Sequence, residues 1–171
     1  MTASHRSPVE RGDRGQSFAS DVRHELALQF PPRACCRLAE IAGISGAART
    51  RADGRRLTCM LTSSAAARKL VRLAHVAERD RHAPGGVEGA GLPESHFKRG
   101  RTQVRPTYSV TLGPALAMDH DPRARSCCRR AYLRAAFMTA GDVSIGPTGT
   151  HLEFRLSSAV SARHVSDILS A

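Results

Sequence analysis

Apolar positions along this chain change period several times, and the changes outline its elements. Phe18, Val22 and Leu26, with Phe30 beyond them, fall on one helical stripe. Ser17 is placed to cap that helix, Asp21 suits its positive end, and Pro31-Pro32 ends it. Cys35 to Ala48 is small, apolar and free of proline, which predicts a buried helix. Its Gly43 and Gly46 leave room for a second helix to come close. Asp53-Gly54 reads as a turn, and Arg56 to Leu61 alternates as a strand. Ser63 or Ser64 then caps a helix from Ala65 to about Val76.

The pattern loosens from His82 to Pro93, where Gly and Pro predict a loop. Val104 to Leu112 alternates again, and Pro106 suits a sheet edge. After a turn at Asp119 to Pro122, a helix is expected from Ser126 to Ala140, stopped by Gly141. A turn at Gly146-Pro147 leads into the strand His151 to Leu156, and Ser157-Ser158 caps a last helix ending at Leu169. Residues 1–16 are polar and are expected to be disordered.

The two halves echo each other. Cys35-Cys36-Arg37 with Ala39 returns as Cys127-Cys128-Arg129 with Ala131, and each copy continues into a helix of small residues. Each then reaches an alternating strand, Leu57, Cys59 and Leu61 in one and Leu152, Phe154 and Leu156 in the other, before Ser-Ser-Ala. Such spacing predicts an internal duplication, about 17–118 and 126–171, paired helix against helix about a pseudo-twofold axis.

Composition narrows the function class. Lys and Arg number 26 against 15 acids, a net charge of +11, which favours a polyanionic partner such as nucleic acid. Nearly all of the cations are Arg, a bias that coding composition alone also produces. Aromatics are 4% and Trp is absent, so the core must be built from Ala, Leu, Val and Ile. No run approaches the ~20 apolar residues of a membrane span, and Met1 to Gln16 lacks the apolar segment of a secretory signal. Five cysteines, four in vicinal pairs, suit a reducing compartment, so a cytoplasmic protein is expected, nucleoid-associated if its polyanionic partner is DNA.

Motifs for chemistry are scarce. The chain has no Walker loop, no HExxH and no CxxC. Ser161, His164 and Asp167 make a polar helix face rather than a triad, and Gly86 to Gly91 is a flexible run without the context of a phosphate loop. Cys35, Cys36, Cys127 and Cys128 would make a four-cysteine zinc site only if the two helix starts met. Adjacent cysteines chelate one ion awkwardly. No metal ligand, cofactor or catalytic residue is assigned.

Three segments carry a resemblance. Ser17-Phe18-Ala19-Ser20-Asp21-Val22, Cys35 to Gly43, and above all Cys127 to Ser144 continuing into His151-Leu152-Glu153 resemble the N-terminal part of the WhiA family of bacterial regulators. The resemblance implies an α+β, degenerate LAGLIDADG homing-endonuclease-like fold over 17–171. Two pseudo-symmetric repeats would form an antiparallel saddle sheet able to lie along duplex DNA, the second repeat stopping one hairpin short. It also implies transcriptional control of sporulation or cell division. The family's C-terminal helix-turn-helix domain is not found here. Either the chain is a truncated regulator, or it completes itself as a homodimer. In the nucleases of this fold an acid at the base of each paired helix holds a divalent metal. The matching positions here are Ala48 and Ala140, so a protein without nuclease activity is expected.

Strand alternation then selects the DNA-facing side. With Leu57, Leu61, Val110, Leu112, Leu152 and Phe154 inward, Arg56, Thr58, Arg105, Thr107, Ser109, Thr111, His151 and Arg155 face outward. Lys98, Arg99 and Arg101 stand at the entrance to the Arg105 strand. Arg56, Lys98, Arg99, Arg101, Arg105 and Arg155 are therefore the expected phosphate contacts. The competing expectation is a module that docks another transcriptional regulator without touching DNA.

Overall fold

The order helix, strand, strand, helix occurs twice in this chain, once on each side of a central helix pair. The computed structural model describes residues 18–53, 56–81, 95–96, 106–113, 116 and 121–170. They form α1 (Phe18–Leu28), α2 (Ala34–Ala47), β1 (Arg49–Asp53), β2 (Arg56–Leu61), α3 (Ser64–Arg81), β3 (Ser95–His96) and β4 (Tyr108–Leu112). After these come α4 (Ser126–Ala140), β5 (Gly141–Gly146), β6 (Gly149–Phe154) and α5 (Ala159–Leu169). Both sheets are antiparallel. One has the order β1-β2-β4-β3, and the other is the hairpin β5-β6.

Small residues let α2 and α4 approach. A Cβ added at Gly43 would lie 2.5 Å from the Tyr132 carbonyl oxygen and 2.9 Å from Ala135 Cβ. Ala39, Ala47, Ala131 and Ala136 join Tyr132, Val165 and Ile168 in one buried cluster around the pair. A larger core fills the space between α3 and the four-stranded sheet, where Leu70, Leu73, Cys59, Val110 and Leu112 meet Ile41 and Ile44 of α2. Each fully buried Leu or Ile there contributes roughly 1.5–3 kcal/mol.

One carboxylate ties three helices. Glu40 is fully buried, and its Oε1 accepts from Nε and Nη2 of Arg134 on α4. Lys69 Nζ of α3 lies 3.0 Å from Oε2 and donates to the Leu26 carbonyl at 2.7 Å. Burial lowers the Lys69 pKa from its ordinary value, and Glu40 opposes that shift.

Several boundaries differ from the expectations. Helix α3 runs past Val76 to Arg81, because Glu78, Arg79 and Asp80 are compatible with a helix and Arg37 of α2 pairs with Asp80 at 2.5 Å. Strands β1 and β5 escaped the periodicity, since β1 is exposed along its whole length and shows no apolar alternation. In β5, Gly141 both ends α4 and opens the strand. Each predicted strand after a central helix, β2 and β6, is therefore preceded by a hairpin partner that periodicity did not show. Leu152, expected inward, is 54% exposed and Ile145 is 67% exposed. Among the described residues, no strand comparable to β4 extends the β5–β6 hairpin. The expected disorder of 1–16, the Ser17 cap and the loop at 82–93 fall outside the described residues. Among the described residues, no helix is long and apolar enough to cross a membrane.

Candidate nucleic-acid interface

Strand register decides which side chains share a face. Arg49 stands opposite Met60 and Met60 opposite Ser109; Arg51 stands opposite Thr58 and Thr58 opposite Thr111. Asp53 faces Arg56 at the end of the β1–β2 ladder. The alternate rows, through Cys59 and Val110 and through Leu57 and Leu112, point into the core. Arg49, Arg51 and Arg56 are thus exposed on the outer face of one sheet. The hydroxyls of Thr58 and Thr111, 3.1 Å apart, lie between strands on that face.

Arg56, Thr58, Ser109 and Thr111 stand where alternation predicted. Arg49 and Arg51 were missed, because a polar strand carries no period-2 signal. The signal that could have found them is the turn-favouring Asp53-Gly54 sequence just ahead of β2, which leaves room for a partner strand before it. Lys98, Arg99, Arg101 and Arg105 lie outside the described residues.

The second unit presents a different face. Arg155, just past β6, is exposed, with Nη2 3.3 Å from Glu153 Oε2 and 3.7 Å from Asp142 Oδ2. Asp142 and Glu153 are register partners, as are Ser144 and His151. Cations therefore gather on the first unit's sheet, whereas Arg155 of the second is partly neutralised by two acids. Of the predicted contacts among the described residues, Arg56 lies on the first unit's sheet and Arg155 beside the second unit's hairpin.

The C-terminal ends of α2 and α4 carry no carboxylate. The Ala48 N–H closes the last turn on the Ile44 carbonyl at 2.9 Å, and the Ala48 carbonyl accepts from Ser157 Oγ at 3.2 Å. The Ala140 carbonyl accepts the Arg155 N–H at 2.8 Å, and Arg23 Nη1 donates to the Gly141 carbonyl at 3.0 Å. Asp142 accepts the Val143 N–H at 3.0 Å. The last residues of both helices thus offer methyl groups and engaged carbonyls, and the Asp142 carboxylate two residues past α4 is engaged by the Val143 N–H and lies 3.7 Å from Arg155.

At the opposite ends of the same helices, the Sγ atoms of Cys35, Cys36, Cys127 and Cys128 lie within 4.8 Å of one another. The condition set for a four-cysteine site, that the helix starts meet, is fulfilled. Burial pushes the Cys36 thiol up to about 11 and the Cys128 thiol up to about 12. The hydrogen bond with Cys36 leads in bringing Cys127 down to about 7.

No protein-family model matches the chain. It is 31% identical over 179 residues to a probable cell division protein WhiA of Syntrophomonas wolfei, covering 90% of this chain and 54% of the relative. A protein of the same name from Heliobacterium modesticaldum is 32% identical over 168 residues, covering 90% and 52%. The chain spans about half the length of the curated relatives it matches. The solved N-terminal LAGLIDADG domain of DUF199/WhiA has a TM-score of 0.68 at 18% identity, over 91% of this chain and 74% of that one. Full-length DUF199/WhiA from Thermatoga maritima has a TM-score of 0.64 at 18% identity, over 90% and 49%. At that identity the likeness establishes the fold.

Proposed function

Because the chain belongs to the WhiA family, through the half that carries the family's LAGLIDADG domain, we propose that it is a non-catalytic, DNA-binding regulator in cell division or sporulation. The observation that carries this reading is the exposed row of Arg49, Arg51 and Arg56 beside the hydroxyls of Thr58 and Thr111 on one sheet face. Guanidinium groups neutralise phosphates and release counterions, and hydroxyls donate to phosphate oxygens. The net charge of +11 adds long-range attraction for a polyanion. Lys98, Arg99, Arg101 and Arg105 join the proposed contact by their place in sequence ahead of β4. Ala48 and Ala140 support the non-catalytic part, since a nuclease centre on this fold needs a metal-binding acid from each helix.

The test is fluorescence anisotropy with a labelled DNA duplex at two salt concentrations, comparing wild type with the R49A/R51A/R56A variant. Binding that falls steeply with salt and weakens in the variant is the expected result. A folded wild type that ignores duplex DNA at low salt would sink this reading. The exposed Ile145 and Leu152 would then favour a docking module for a second regulator or another copy of the chain, since exposed apolar patches mark such surfaces. Sedimentation of wild type against a Leu152→Asp variant would separate those two partners.

A further inference from the structure

We propose that Cys35, Cys36, Cys127 and Cys128 form a four-thiolate site for one divalent metal ion of the zinc class, binding α2 to α4 at their starts. This inference is independent of DNA binding and rests on the geometry of the helix pair.

The distances fit one ion. A tetrahedral zinc with Zn–S bonds of about 2.3 Å sets its sulfurs about 3.8 Å apart. Here Cys35 Sγ is 3.9 Å from Cys36 Sγ, and Cys127 Sγ is 3.9 Å from Cys128 Sγ. All four sulfurs lie within 4.8 Å. That is too tight for a four-iron cluster, whose ligands are spread around several metals. It is too long for disulfides, whose sulfurs stand about 2.05 Å apart, and all five cysteines are free. The objection that adjacent cysteines chelate awkwardly is met by the geometry: both pairs sit in a first helical turn with their sulfurs already one tetrahedral edge apart.

The surroundings suit the charge. Binding releases four thiol protons and leaves a dianionic complex, because four thiolates outweigh one M²⁺. Both helix N-termini point their positive ends at this position. Neither first turn contains an acid, and neither N-cap side chain, Arg33 or Arg125, caps its helix. Cys36 and Cys128 are buried, while Cys35 and Cys127 are partly open, which leaves an entry path. The two halves of the duplication supply one vicinal pair each, so the site exists only when they are joined.

The experiment is an anaerobic titration of the reduced 171-residue chain with Co²⁺. Saturation at one equivalent, with intense thiolate-to-cobalt charge transfer in the near ultraviolet and tetrahedral visible bands, is expected. Zn²⁺ should displace the signal and raise the melting temperature. The C35S/C127S variant should lose the charge-transfer band, and Cys59→Ala should keep it. If C35S/C127S does not fold, the wild type and Cys59→Ala decide alone. An octahedral, thiolate-free spectrum from folded wild type overturns the site. So does a band lost in Cys59→Ala, or one kept in a folded C35S/C127S.

Discussion

Arg134 on α4 holds Oε1 of Glu40 on α2 through both Nε and Nη2, at 2.8 and 2.5 Å. The carboxylate is fully buried and also answers Lys69, so three elements converge on one negative charge. Removing it strands two cations, one of them buried. Glu40→Ala should destabilise the chain by about 3 kcal/mol or more. Urea denaturation followed by circular dichroism measures this, and a loss below about 1 kcal/mol would show the network to be dispensable.

The two glycines of α2 should respond differently to alanine. At Gly43 the new Cβ meets backbone of α4, which cannot yield, whereas at Gly46 it meets the Tyr132 hydroxyl at 2.8 Å, the end of a side chain. Overpacking costs about 1–3 kcal/mol, against a helix-propensity gain of about 1 kcal/mol. Gly43→Ala should therefore unfold at clearly lower denaturant than Gly46→Ala. Equal midpoints would contradict the close approach.

Single-arginine variants should rank by their surroundings. Arg51→Ala should reduce the salt dependence of duplex binding by close to one phosphate, a slope change of about 0.9. Arg155→Ala should change it less, because Glu153 and Asp142 already engage that guanidinium. Anisotropy over a salt series tests the order, and a larger effect at Arg155 would move the contact to the second unit.

Phe154 and Leu152 are neighbours on one hairpin face with unequal roles. Leu152→Ser should change stability by less than about 0.5 kcal/mol, as exposed positions do. Phe154→Ala should cost about 2 kcal/mol, since Phe154 is half-buried and meets Phe137 edge to face at 6.1 Å. Thermal melts of both variants decide it.

Burial raises the Cys59 thiol above its ordinary 9.0. The unfolded chain then loses that proton before the folded one does. The stability from Cys59 is complete below pH 9.0 and is lost as pH climbs through its raised value. Cys59→Ala should be less stable near neutrality and decline less steeply above pH 9.0. Urea midpoints over an alkaline series measure the slope, and parallel curves would place Cys59 outside the titration.

The helices were legible from their period, Ser126 to Ala140 to the residue, but the stripe read in α1 was out of phase: Ala19 and Ala27 are buried there and Phe18 is 55% exposed. The glycines at 43 and 46 announced the close pair. The outer sheet face was half legible. Arg56 and Thr58 follow from the buried Cys59 and Leu61 beside them, while Arg49 and Arg51 sit on an edge strand with no apolar partner to mark their phase.

The sequence by itself determined the duplication, the central helices, the basic balance and the alanines at both helix ends. Those are properties of local periodicity and residue type, which a linear reading preserves. Tertiary structure alone decided that four thiols, 92 residues apart in two pairs, would share a space under 5 Å. It alone set Glu40 against Arg134 and gathered the sheet arginines on the first unit while acids flank Arg155. Convergence of residues distant along the chain depends on which faces the helices bury against each other, and that choice is made by packing the whole core at once.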